Sequence, residues 1–185
     1  MSLGKFSGNP LTEWLSADGA ADRDMRLIDD FSFTDPAGRL WRAPKQSVID
    51  GASIPRALWS TVGSPYTDDY RRASVVHDVA VSTPGVVRKE ADLMFYQACL
   101  AGGCPVSQAR ILYAGVQLGG WASTVFPKTS MTREKLLFRL SSEPDGLDEQ
   151  FLKAKLDAIS IDLRTLPVGA PITEVDAIIA RHIPH

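Results

Sequence analysis

Three residues of this chain could do chemistry together: His77, Asp78 and Asp92. A carboxylate that accepts a hydrogen bond from one imidazole nitrogen holds the tautomer and leaves the other nitrogen basic, the arrangement by which a histidine activates water. A second carboxylate beside the imidazole, Asp78, could hold a cation or simply meet water. Hard oxygen ligands of this sort suit calcium or magnesium better than zinc. The same His77–Asp92 pair also works as structural glue, because a buried imidazole bonded to a carboxylate satisfies two polar groups inside a helical interface. Both readings require the two side chains to meet.

The elements that must bring them together run from Tyr70 to Ala101, which reads as two helices joined by the turn Ser82-Thr83-Pro84-Gly85. Ala73, Val76, His77 and Ala80 recur at the three-and-four spacing of one inward stripe, and Arg88, Asp92, Phe95 and Cys99 do the same in the second helix. Pro84 and Gly85 lie midway between His77 and Asp92, so in an antiparallel hairpin the two stand at the same level, roughly 7 to 8 Å down each helix at 1.5 Å per residue. Asp78, one step round the helix, is expected at the edge of the pair. Arg88 precedes Asp92 by one turn and pairs most simply with it or with Asp78.

The rest of the chain is read as support. Its 185 residues are 44% hydrophobic, enough for one core and an extension. The formal charge of -2, from 20 basic and 22 acidic residues, offers no polybasic patch, and no nucleic acid partner is expected. Cys99 and Cys104 are too few for a disulfide framework or a structural zinc site. With no apolar leader and no apolar run near 18 residues, the expectation is a soluble protein made in the cytoplasm.

In chain order, the first 25 residues predict an edge strand or loop, and Arg26 to Thr34, the turn Asp35-Pro36-Ala37-Gly38 and then Leu40 and Trp41 predict a β-hairpin. Ser47 to Ile49 predicts a further short strand. It runs into Asp50-Gly51-Ala52-Ser53-Ile54-Pro55-Arg56, a loop in which Asp50 and Ser53 suit capping of the helical turn that Pro55 opens. Gly102-Gly103 ends the second helix, Pro105 starts a third, and Ala114, Gly115 and Gly119 make a smooth strip for close packing on it. From Lys128 onward the amphipathic pieces Leu147 to Ile159 and Thr173 to Ile183 predict a helical arm.

The ordered set Asp50 to Arg56, Ala73 with His77-Asp78, then Arg88 with Ala91-Asp92 and Phe95, resembles domain-of-unknown-function family 1353, a group of short bacterial and phage proteins. The likeness covers roughly Arg26 to Trp121 and implies a phage or prophage context without supplying an activity. Where family members often carry an aromatic just beyond the His-Asp pair, this chain has Val79-Ala80-Val81. The order of a polar loop, a helix bearing His-Asp and a helix bearing Asp also looks like the layout of secreted phospholipases of the A-two type. That likeness implies His77 as base, Asp78 as calcium ligand, Asp92 as orienter, and Asp50 with the loop carbonyls to Ser53 completing the cation site. The chain departs from that group in its cysteine count and its lack of a glycine-rich calcium loop.

The sequence therefore predicts an α+β fold: a small antiparallel sheet packed on a helical hairpin and third helix in residues 1–127, with a helical C-terminal arm in residues 128–185. Two functions follow. One is a hydrolase, possible with calcium or magnesium, in which His77 activates water, Asp92 orients it and Asp78 with Asp50 binds the metal. The other is a non-catalytic phage structural, tail-associated or assembly module, carried in the virion, whose arm docks on phage structural proteins or on a second copy. An open cleft at His77 favours the first and a sealed pair favours the second.

Overall fold

The computed structural model describes residues 3–15, 24–50, 54, 58, 69–125 and 145–183. Among the described residues, six short strands come first: β1 (Lys5–Phe6), β2 (Thr12–Trp14), β3 (Met25–Leu27), β4 (Phe31–Thr34), β5 (Leu40–Ala43) and β6 (Val48–Ile49). Five helices follow among the described residues: α1 (Arg71–Ser82), α2 (Arg88–Gly102), α3 (Val106–Val125), α4 (Asp145–Arg164) and α5 (Ile172–His182). The architecture is α+β, as the sequence predicts. In place of one small sheet there are two antiparallel three-stranded sheets, ordered β1-β4-β5 and β2-β3-β6.

The predicted hairpin forms from β4 and β5, with Phe33 opposite Trp41 and Thr34 opposite Leu40. Alternate residues turn inward: Phe31 and Phe33 from β4, Trp41 and Ala43 from β5. Asp35 shapes the turn. Its Oδ1 accepts from the backbone N–H groups of Ala37 and Arg39, each at 2.9 Å, and its Oδ2 accepts from the Trp41 indole at 2.9 Å. The segment from Arg26 divides because Asp29 and Asp30 break the alternation, so Met25–Leu27 joins the other sheet beside β2 and β6.

The sheets pack on α1, whose neighbours include β4, β5 and β6, and on α2, which meets β1. The joint is aromatic and aliphatic, with Phe6 stacked on Phe31 at 5.7 Å and tilted against Phe33 at 4.8 Å by ring centroids. At the hairpin turn the Thr83 hydroxyl donates to the Val79 carbonyl at 2.7 Å, and Gly85 takes the left-handed backbone (φ 82°) that turns the chain. Gly103 ends α2 in the same conformation, and the Cys104 N–H returns to the Cys99 carbonyl at 3.0 Å. The C-terminal helices share the core: α4 lies on α3 and α5 on α4, burying Leu156, Ile159, Val175 and Ile179.

No described helix is long and apolar enough to cross a membrane. The expected helical turn at Pro55 with Trp59, and the pieces between Lys128 and Pro144, lie outside the described residues.

Candidate functional site

The hairpin register delivers the pair. The His77 Nε2–H donates to Asp92 Oδ1 across 2.7 Å, and both residues are buried, His77 completely. Arg88 completes the arrangement from one turn earlier on α2. Its Nε donates to the same Asp92 oxygen at 2.9 Å and its Nη2 donates to the Val116 carbonyl of α3 at 2.9 Å. One carboxylate oxygen thus ties α1 to α2, and the guanidinium that neutralises it ties α2 to α3. Gly120 makes room for that crossing, since a Cβ there would stand 3.3 Å from the guanidinium carbon.

Burial decides the imidazole's state. The loss of solvent around His77 pushes its pKa below the ordinary value of 6.5, outweighing the Asp92 hydrogen bond and charge that pull the other way. The ring is neutral near pH 7, with its proton on Nε2 facing Asp92, and Nδ1 carries a lone pair. Among the described residues that nitrogen has no hydrogen-bond partner. Phe95 packs beside the ring at 4.9 Å between centroids. A charged ring would bury a second N–H without an acceptor, so geometry and burial favour the same neutral form.

Asp78 does not sit at an exposed edge. It is 7% exposed, and its Oδ2 accepts the backbone N–H of Asp50 at 3.2 Å. The Asp50 loop therefore docks beside the His-Asp dipeptide, and Ile54 of the same loop packs 3.7 Å from where a Cβ of Gly115 would lie on α3. On α3, Gly115 of the small-residue strip receives Ile54 of this loop, and Gly120 beyond the strip receives the Arg88 side chain. For a metal, Asp50 and Asp78 are neighbours, but the described residues contain no group of three or more His, Cys, Asp or Glu side chains able to hold an ion. The carbonyls of Gly51 to Ser53, and Ser53 itself, lie outside the described residues.

A cleft of about 730 Å³ opens on the other side of Asp92, bounded by Arg88, Lys89, Gln117, Trp121 and Ile183 among others. It reaches Asp92 and stops short of His77. Two groups, Gln117 at this cleft and Arg110 away from it, were not singled out from the sequence. Gln117 places a buried amide nitrogen with no partner among the described residues. Arg110 is 3% exposed and donates through Nη2 to the carbonyls of Pro167 at 2.9 Å, Val168 at 3.0 Å and Ala170 at 3.3 Å. Arg110 had a visible signal, because it falls within the inward-facing stretch Ala109 to Val116; Gln117 had none.

A two-sheet α+β scaffold with a His–Asp–Arg tie in its helical hairpin describes the class. Residues 25–116 belong to the family described as "Protein of unknown function (DUF1353)". The chain is 32% identical over 143 residues to the uncharacterized protein y4jT of Sinorhizobium fredii, an alignment covering 77% of this chain and 40% of that protein. It is 38% identical over 100 residues to the uncharacterized protein y4iH of the same organism, covering 54% of this chain and 42% of that one. The chain thus spans about two fifths of the length of these curated relatives. No solved structure matches it significantly. The comparisons lend no support to the likeness to secreted phospholipases.

Proposed function

We propose that this chain is a non-catalytic assembly or interaction module in which His77, Asp92 and Arg88 are an internal tie. The observation that carries this reading is the burial of the pair: His77 is 0% exposed and the adjacent cleft ends at Asp92. A general base must come within hydrogen-bond reach of water or substrate, and here the nitrogen left for that task faces the interior. In this reading the segment from residue 128 onward is the docking arm. Its apolar side chains Ile161 and Val168 stand 65% and 77% exposed on the outside of the C-terminal layer. The occupant is a second copy or a phage structural protein, in keeping with the phage or prophage setting that the family resemblance implies, and the chain is made in the cytoplasm before incorporation in a particle.

A second reading rests on one specific observation. The Nδ1 of His77, without a partner among the described residues, lies on the residue adjoining Asp78, whose Oδ2 accepts the Asp50 N–H. Water reaching that basic nitrogen, already held by an orienting carboxylate, would complete the hydrolase arrangement, with calcium or magnesium at Asp78 and Asp50.

One pair of variants separates the two. Under the module reading Ile161→Glu with Val168→Glu abolishes self-association or partner capture, measured by light scattering after size exclusion, with the melting temperature unchanged. Under the hydrolase reading His77→Gln abolishes turnover, and millimolar calcium or magnesium raises the melting temperature of the wild type by mass action. A wild type that remains monomeric and captures no component of purified phage particles would sink the module reading.

A further inference from the structure

Arg110 brings a full charge into the interior with no carboxylate paired to it among the described residues. It lies on α3, is 3% exposed, and directs its hydrogen bonds to backbone carbonyls of the turn between α4 and α5. Nη2 donates to the carbonyls of Pro167, Val168 and Ala170, and Nη1 donates to that of Leu166 at 3.4 Å. The turn follows the C-terminal end of α4, where the helix dipole favours a cation. One helical turn along α3, the Tyr113 hydroxyl donates to Asp176 Oδ1 at 2.8 Å and fixes the first half of α5.

Desolvating a guanidinium is costly, and an apolar residue could join two helices without that cost. What the planar fork provides instead is direction, since it holds several carbonyls of one turn at once. The consequence shows at Val168. Its carbonyl is held inward, 3.0 Å from Nη2, while its side chain is 77% exposed, the most of any large apolar side chain among the described residues. Pro167 and Pro171 bracket the turn and restrict its backbone further.

We propose that Arg110 is the positioning residue of the docking surface, its fork locking the turn 166–171 in the conformation that presents Val168 outward to a second copy of the chain. The inference rests on the module reading for what Val168 meets, and on the hydrogen bonds alone for how the turn is held. A preordered apolar tip binds with a smaller ordering cost than a mobile one. Without the fork, the carbonyls of this exposed turn can face water instead, so the turn loosens while the fold remains.

Two readouts on the full chain test this. The first needs no partner: the Ala170 N–H donates to the Pro167 carbonyl at 3.0 Å, and its exchange with deuterium reports the turn. Arg110→Met is expected to speed that exchange by about tenfold, the loss of one charge-assisted bond, while the amides of α1 and α2 exchange as in the wild type. Arg110→Lys, which keeps the charge without the fork, is expected to fall between the two. The second readout is self-association, by light scattering after size exclusion. Arg110→Met is expected to weaken it by up to about tenfold, and to weaken it no further once Val168→Ser has been made. A residue that only stabilised the fold would weaken both backgrounds alike. Unchanged Ala170 exchange in both Arg110 variants overturns the proposal, and so does an Arg110→Met loss of the same size in the Val168→Ser background. A wild type that stays monomeric overturns the docking role, and the Ala170 result then shows what failed: if Arg110→Met loosens the turn, the lock stands and the occupant was wrong; if it does not, the lock itself was.

Discussion

The molecule builds the same trio of residue types twice. In the hairpin, His77 donates to Asp92 at 2.7 Å and Arg88 braces that carboxylate at 2.9 Å. At the C-terminal end, His182 meets Asp162 at 2.9 Å and Arg181 approaches the same oxygen at 3.6 Å. The difference is solvent. The side chains of His77 and Asp92 are 0% and 3% exposed, whereas those of His182 and Asp162 are 23% and 40% exposed. In the interior, desolvation dominates and drives His77 towards its neutral form. At the surface the hydrogen bond from His182 dominates and holds the Asp162 carboxyl below its ordinary 3.8. Identical chemistry thus becomes a rigid internal tie in one place and a solvated clasp in the other, because the surroundings decide whether desolvation or the hydrogen bond wins.

The largest test of that contrast removes each carboxylate. Asp92→Ala leaves a buried imidazole and a partly exposed guanidinium without their shared acceptor and is expected to destabilise the fold by about 2–3 kcal/mol, the upper range for a buried donor left unmatched. Asp162→Ala, by contrast, is expected to leave the urea midpoint near neutral pH indistinguishable from wild type. Comparable losses from the two variants would show that burial is not what separates the sites.

Acid separates them next. His77 is held below its ordinary value in the folded protein, while the unfolded chain takes up that proton near pH 6.5. Below pH 6.5 the unfolded state therefore binds more protons, and stability falls as pH falls, by at most about 1.4 kcal/mol per unit for this one group until its folded pKa is reached. His77→Phe is expected to remove that part of the slope between pH 6.5 and 5, measured by urea titration at each pH. The Asp162 contribution has its own window: it is present above 3.8 and is lost as pH falls through the lower, folded value. A His77→Phe protein with the wild-type slope would place the acid sensitivity elsewhere.

The smallest test probes how tightly the interior tie is fitted. Gly120→Ala would bring a methyl to 3.3 Å from the Arg88 guanidinium carbon, close enough that the side chain must give by a few tenths of an ångström. The gain in helix propensity from Gly to Ala, about 1 kcal/mol, opposes that crowding. The expected result is a stability within about 0.5 kcal/mol of wild type, together with a weakened bond from Arg88 to the Val116 carbonyl. Faster hydrogen exchange confined to the α2–α3 seam would report it.

The sequence by itself determined much of the hairpin and its pair. The three-and-four stripes, the turn centred on Pro84-Gly85, and the equal spacing of His77 and Asp92 from it are local properties, and local geometry carries them into contact. The β4–β5 hairpin was legible for the same reason, through alternation and the Asp35 turn. What lay beyond it was everything set by distant segments. That Met25–Leu27 leaves its neighbours for a second sheet depends on partners at Thr12–Trp14 and Val48–Ile49. That Asp78 turns inward depends on the Asp50 loop arriving from 28 residues away. The cleft forms only where α1, α2, α3 and Ile183 converge. The accessibility of His77 belongs to this second group. Residue type and spacing establish that an imidazole and a carboxylate can pair, but burial is a sum over every segment that packs around them, and only the tertiary structure performs that sum.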